Sequence, residues 1–207
     1  MGHFSTDPES VKRVRDEFKK VVEENDTMFA SFNNMRDYLS EACSYDNLQE
    51  LTYLNMVVSE ALRFEPPVPH GTESTLSQDC KIGKYHVKAG DNVQVNITGL
   101  HHSPAQWQRP NEFLPERWDK SNKLALTPSG AKRSTLAFSP FLGGKRVCFG
   151  KTFAEANLKV LASYMSQYFD MEFVDKEMYP DTHHLPICQL GQSATIPILV
   201  KLRLRKD

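Results

Sequence analysis

The segment Phe141-Leu-Gly-Gly-Lys-Arg-Val-Cys148-Phe-Gly150 decides how the rest of the chain is read. Gly143, Gly144 and Gly150 permit tight turns and let the backbone approach a flat surface closely. Cys148 precedes a helical pattern in which Phe153, Ala154, Leu158, Leu161, Ala162 and Met165 recur at helical spacing, to about Tyr168. A helix N-terminus and the nearby Arg146 both favour a thiolate over a thiol. Phe141 is expected to shield the sulfur from water. Such a thiolate suits a nucleophile or a metal ligand. A nucleophile wants a histidine base, and His3, His70, His86, the His101-His102 pair and the His183-His184 pair form no protease-like signature. A zinc site wants more ligands at short spacing, which the sequence lacks. The blander alternative is a buried structural cysteine in a glycine turn.

Working outward, the chain has 207 residues, 40% hydrophobic and 25% charged, with net charge -1. That composition excludes a low-complexity or collagen-like protein. A chain of this length buries roughly 70% of its unfolded surface, which suffices for a core in one domain or two. No basic stripe stands out, so nucleic acid is not an expected partner. Lys201, Arg203, Arg205 and Lys206 alternate with Leu202 and Leu204, as on an edge strand. No apolar run approaches the ~18 residues of a membrane span, and Met1 to Pro8 hold no apolar signal core. Cys43, Cys80, Cys148 and Cys188 are dispersed, without a C-x-x-C pair, which reads as reduced thiols in a reducing compartment.

Thr6, Asp7 and Pro8 start a helix to about Glu24, with Val11, Val14, Phe18, Val21 and Val22 at helical spacing. Asn25 to Asn34 reads as a loop and Met35 to Cys43 as a short helix. Leu51, Leu54, Val57, Val58, Ala61 and Leu62 form an apolar stripe that must end before Pro66 and Pro67. The period changes to two between Ile82 and Ile97, so Tyr85 to Ala89 and Val93 to Ile97 are expected to pair across a Gly90-Asp91 turn. From about His101 to Pro140, prolines punctuate a stretch with little periodicity, and such long connections are usually functional or wrap something. Ile196 to Leu204 alternates as a strand. The expected fold class is mostly α with minor β.

The glycine-loop pattern resembles the haem-thiolate loop of the cytochrome P-450 superfamily, F-x-x-G-x-R-x-C-x-G, filled by Phe141, Gly144, Arg146, Cys148 and Gly150. Phe153, Ala154 and Asn157 continue the match. Glu60-Ala-Leu-Arg63, followed by Phe64-Glu-Pro-Pro-Val-Pro69, resembles the family's helix K and its exit. Phe113 to Trp118 resembles its P-E-R-F/W segment, and Leu100 to Trp107 its L-H-R-D-P-x-x-W segment. The motifs stand in the family's order from about Asp7 to Lys201.

The resemblance implies the C-terminal portion of the cytochrome P-450 fold: J, K and L helices, a hairpin, a meander and the Cys loop. It implies haem b (iron protoporphyrin IX) with Cys148 as axial ligand and Arg146 on a propionate. It implies a structural triad of Glu60, Arg63 and Arg117. The implied reaction inserts one atom of O2 into a small apolar organic substrate, with electrons from an NADPH-dependent reductase or a ferredoxin. Val68, His70 and Thr72 are the candidate substrate-lining residues, and Gly191 to Thr195 would line the pocket from the last hairpin. Three departures stand out. Leu142 stands where the family usually has Gly or Ser. Glu73 and Ser74 occupy the place of a second propionate-binding Arg. The family's oxygen-activating I helix precedes the first helix and has no counterpart in the sequence. Residues 1–207 are therefore expected to be a single partial domain, the haem-binding half, missing the N-terminal half of the fold. Relatives of full length usually sit on the cytosolic face of the endoplasmic reticulum membrane; the other expected location is cytoplasmic. A second reading is a catalytically incomplete haem-binding fragment or interaction module. The helices from Asp7 to Glu24 and Leu51 to Arg63 are expected to lack partners for their apolar stripes.

Overall fold

A computed structural model describes residues 8–24, 45–174 and 200–205. The expected loop and helix between Asn25 and Cys43, the His183-His184 pair and the Gly191 to Thr195 segment lie outside the described residues. Helix α1 spans Pro8–Glu24 and opens on the proline, whose missing N–H costs nothing there. A short helix α2 (Tyr45–Glu50) leads into α3 (Thr52–Phe64). No local side chain caps α3. Glu17 of α1 takes that role, accepting the N–H groups of Tyr53 at 2.6 Å and Leu54 at 3.0 Å. A carboxylate there satisfies two otherwise free donors and meets the positive end of the helix dipole.

Val11, Val14, Phe18 and Val21 of α1 share one buried core with Leu54, Val57, Val58 and Leu62 of α3 and Ala162 of the long C-terminal helix. The stripes of α1 and α3 therefore find their partners in each other, contrary to expectation. The amphipathic spacing was right, but the two helices are spatial neighbours across sequence. Arg15 ties α1 to the chain's far end, donating to the carbonyls of Ser166 at 2.7 Å and Phe169 at 3.1 Å.

The small sheets are short antiparallel pairs. Strand β1 (Ser74–Thr75) pairs with β4 (Asn92–Val93), and β2 (Cys80–Ile82) pairs with β3 (Tyr85–Val87). The hairpin thus turns at Gly83-Lys84, where Gly83 has φ +58°, and not at Gly90-Asp91. Ile97, read from the sequence as strand, begins helix α4 (Ile97–His101), because Asn96 accepts the Gly99 N–H and caps it. The connection from His102 to Pro140 is built from single 3-10 turns at Pro115–Trp118, Lys123–Ala125 and Thr135–Ala137. Helix α5 (Lys151–Tyr168) follows the Cys loop. Strand β5 (Phe169–Phe173) then pairs with β6 (Val200–Leu204), Phe169 opposite Leu204.

Leu54 is wholly buried, whereas Leu161 on α5 is 52% exposed. Leu54→Ala is expected to lower unfolding free energy by about 2–5 kcal/mol, and Leu161→Ala to change it by less than about 0.5 kcal/mol, both read from urea denaturation followed by circular dichroism.

Candidate functional site

Glu60 lies on the buried face of α3, one turn from Arg63, and neither side chain has any solvent exposure. One carboxylate oxygen accepts from Arg63 Nη2 at 2.8 Å, Arg117 Nε at 2.9 Å and the Leu114 N–H at 2.9 Å. The other accepts from Arg63 Nε at 2.9 Å and Trp118 Nε1 at 3.0 Å. Two guanidiniums face one carboxylate, so the charge is not balanced by ion pairing. Backbone dipoles make up the difference. Arg63 donates to the carbonyls of His101, Pro110 and Glu112, and Arg117 to those of Gln108, Arg109 and Glu112. Arg109, at φ 47°, turns the loop so that these carbonyls converge. Burial pulls the Arg117 guanidinium below its ordinary value, and Glu60 opposes that.

Around this network runs an aromatic ladder. Trp107 is fully buried and lies 5.7 Å from Trp118, which meets Phe138 edge-on at 4.5 Å. Phe138 in turn packs 5.3 Å from His101. The Arg133 guanidinium stacks 3.8 Å over Trp107, and burial, helped by Arg117, lowers it to about 10. His101 is fully buried. Its Nδ1 lies 3.1 Å from the Arg63 carbonyl, and its Nε2 accepts the Ser139 N–H at 2.9 Å. Sequence reading placed the histidine pair in the segment resembling L-H-R-D-P-x-x-W and gave it no contacts.

The Cys loop continues from Ser139. Leu142 donates its N–H to the Ser139 carbonyl at 3.0 Å, and Cys148 donates its N–H to the Phe141 carbonyl at 2.9 Å. Gly144 (φ +63°) starts a 3-10 turn, Gly144–Arg146, and Gly150 precedes α5. Cys148 is exposed, and the Phe141 side chain packs against the core. The Phe141 carbonyl thus anchors the Cys148 backbone while its ring anchors the loop to the core. Exposed apolar side chains surround the loop in sequence: Leu136, Val147, Phe149 and Phe153. Arg146 is exposed and has no ion-pair partner among the described residues.

Val68, His70 and Thr72 flank Gly71, whose Cβ position lies 3.3 Å from Leu142 Cδ2 and 3.2 Å from the Val95 carbonyl. The segment after Pro66 and Pro67 is thereby brought against the Cys loop. Val68 and Thr72 are exposed there. Among the described residues no group of His, Cys, Asp and Glu could hold a metal ion by itself. Cys148 thus offers a sulfur donor beside exposed apolar side chains and the exposed cations Lys145, Arg146 and Lys151. Among the described residues no helix is long and apolar enough to cross a membrane.

The family model for cytochrome P-450 matches residues 1–199. The chain is 28% identical over 190 residues to the steroid 17-alpha-hydroxylase/17,20 lyase of Felis catus, covering 91% of this chain and 34% of that protein. It is 34% identical over 131 residues to the flavonoid-6-hydroxylase of Mentha piperita, covering 63% of this chain and 25% of the relative. Among solved structures, the retinoic acid bound cyanobacterial CYP120A1 superposes with a TM-score of 0.68 at 26% identity, over 96% of this chain and 39% of its own. The chain spans about a third or less of these curated relatives.

Glu60→Gln is expected to destabilise by about 3–5 kcal/mol, since two buried guanidiniums lose their counter-charge; chemical denaturation measures it. A second expectation concerns pH. Burial pushes the His101 ring down from 6.5 to about 4, the hydrogen bond to the Arg63 carbonyl opposing this and the Arg63 charge adding to it. Above pH 6.5 the ring is neutral folded and unfolded alike. As pH falls from 6.5 to about 4, the unfolded chain binds a proton that the native ring refuses. Stability is then lost, by on the order of 3 kcal/mol in total. His101→Gln should lack that component, so the difference between the two stability–pH curves should flatten below about pH 4.

Proposed function

The chain belongs to the cytochrome P-450 family, and on that premise we propose that it forms the haem-ligating part of a haem-thiolate monooxygenase, with Cys148 as axial ligand of the iron. The carrying observation is the exposed Cys148 on a loop whose neighbours Val147, Phe149 and Phe153 turn apolar side chains outward. A protein-only metal site needs several ligands, whereas haem would be held by the Cys148 sulfur and the apolar side chains beside it. When bound, haem supplies an iron that inserts one atom of O2 into a small apolar organic substrate, with electrons from an NADPH-dependent reductase or a ferredoxin.

The chain's own residues have separate tasks in this reading. Cys148 presents its thiolate, placed by its N–H bond to the Phe141 carbonyl. The neighbouring N–H groups of Phe149 and Gly150 moderate the negative charge on sulfur. Arg146, exposed beside the loop, pairs with a propionate through its planar fork of donors. Gly144 and Gly150 keep the loop free of side chains that would hold a flat group away. Val68, His70 and Thr72 line the substrate's approach, supported by the contact of Gly71 with Leu142. Glu60, Arg63 and Arg117 act structurally, and no proton or electron passes through them. Residues 1–207 are then one partial domain of the P-450 fold.

The test is haem uptake by the full chain. The reduced, CO-treated protein is expected to show the red-shifted Soret band of thiolate ligation. Cys148→Ala should abolish the band, Cys80→Ala should keep it, and Arg146→Ala should weaken haem retention. Failure of the chain to take up haem overturns the proposal. A thiolate band without substrate turnover when a reductase is supplied would reduce the function to that of a haem-binding module.

A further inference from the structure

An unbroken series of hydrogen bonds joins the buried ion network to the Cys148 backbone. It begins at the Arg63 main chain, whose carbonyl lies 3.1 Å from His101 Nδ1. His101 Nε2 accepts the Ser139 N–H at 2.9 Å. The Ser139 carbonyl accepts the Leu142 N–H at 3.0 Å, and the Phe141 carbonyl accepts the Cys148 N–H at 2.9 Å. The last two bonds hold the two ends of one peptide unit, Phe141–Leu142, because its carbonyl faces Cys148 and its N–H faces Ser139. A peptide plane held at both ends cannot rotate without breaking one of them.

The chemistry of the partners fixes the state of the ring. A carbonyl only accepts, so Nδ1 must carry the hydrogen. A backbone N–H only donates, so Nε2 must be bare. Only one neutral tautomer satisfies both, and a second proton on Nε2 would face the Ser139 N–H. Burial and the Arg63 charge disfavour that proton as well. The contact with Arg63 is reciprocal, since Arg63 Nη1 donates to the His101 carbonyl at 2.9 Å. His101 is therefore locked to the same arginine that Glu60 holds through two bonds. The Phe138 ring closes over it at 5.3 Å.

We propose that His101 is a positioning residue for the Cys148 loop, transferring the placement of the Glu60–Arg63 pair through Ser139 to the peptide that holds the Cys148 N–H. Its bearing on oxygen chemistry rests on Cys148 being the axial ligand, but the relay itself does not. It serves to fix the height and direction of the sulfur before any group binds, which matters because a ligating atom displaced by even about 1 Å costs much of a site's performance.

Two substitutions separate the relay from simple packing. In His101→Gln the terminal amide oxygen reaches the Nε2 position and can accept the Ser139 N–H, while the Arg63 carbonyl loses its donor. In His101→Asn the amide N–H2 reaches the Nδ1 position and keeps the Arg63 carbonyl, while the Ser139 N–H is left unpaired. Hydrogen exchange is followed on the full chain, without haem, at the Ser139, Leu142 and Cys148 amides, with the Val58 amide of α3 as the control for global opening. The relay predicts exchange at the Leu142 and Cys148 amides at least about tenfold faster in both variants, because each cuts one link, and at the Ser139 amide faster in His101→Asn than in His101→Gln, with Val58 at its parent rate. Leu142 and Cys148 amides that stay at the parent rate in either variant overturn it. Should a variant fail to fold, nitrogen chemical shifts of the parent His101 ring decide: hydrogen on Nδ1 supports the relay and hydrogen on Nε2 overturns it. A chain that takes up no haem yet shows the expected exchange pattern retires the axial-ligand reading and leaves the relay standing.

Discussion

A single carboxylate organises the middle of the molecule. Glu60 is an acceptor for five N–H donors, from Arg63 twice, from Arg117, from Trp118 and from the Leu114 backbone. Three of those donors lie more than fifty residues along the chain, so the bonds close a long loop and not a local turn. Removing a carboxylate and two guanidiniums from water is expensive, and such groups often stabilise a fold no better than hydrophobic residues of the same volume. What they do is discriminate. A loop displaced by one residue would leave a buried charge without a partner, and that alternative is costlier than any mismatch of apolar surfaces.

This explains how a segment with almost no regular structure holds one shape. Between His102 and Pro140 the backbone cannot satisfy its carbonyls in a ladder. Those of Gln108, Arg109, Pro110 and Glu112 instead accept from Arg63 and Arg117. Arg133 treats the next stretch the same way, donating to the Leu124 carbonyl at 2.7 Å while its flat face covers Trp107. Arginine suits this task because its donors fan out in one plane and its faces remain apolar.

The parts legible in sequence were those where residue chemistry is narrow. The apolar stripe of α3 ended by Pro66 and Pro67 is such a part, whereas the cysteine among glycines and the glutamate one turn before an arginine, a spacing common by chance, became legible through the family pattern they resemble. The strand pairs were less legible, since strands of two or three residues leave no period to measure and turn geometry decides between Gly83 and Gly90. Strand β5 carried a usable alternation in Phe169, Met171 and Phe173, but it follows helix α5 without a Gly or Pro break. The Glu17 cap and the His101 contacts are invisible for a different reason. Both depend on groups 36 to 38 residues away, and nothing local distinguishes them from surface polar residues.

Leu142 shows where the fold accepts strain. It has φ 62°, a region in which a side chain with a Cβ costs about 1–2 kcal/mol relative to glycine. The cost persists because the surroundings over-determine the residue. Its N–H is held by Ser139, the carbonyl before it is held by Cys148, and its side chain lies against Gly71, itself at φ +58°. A Cβ on Gly71 would come within 3.2 Å of the Val95 carbonyl, so the two positions are matched, one supplying the bulk and the other the space. The strained residue lies between the ion network and the exposed thiol. Strain retained at that point is compatible with a loop held in place by its supports and not by its own preference. That is the condition a thiol needs if it is to sit exposed on a loop and still keep one direction.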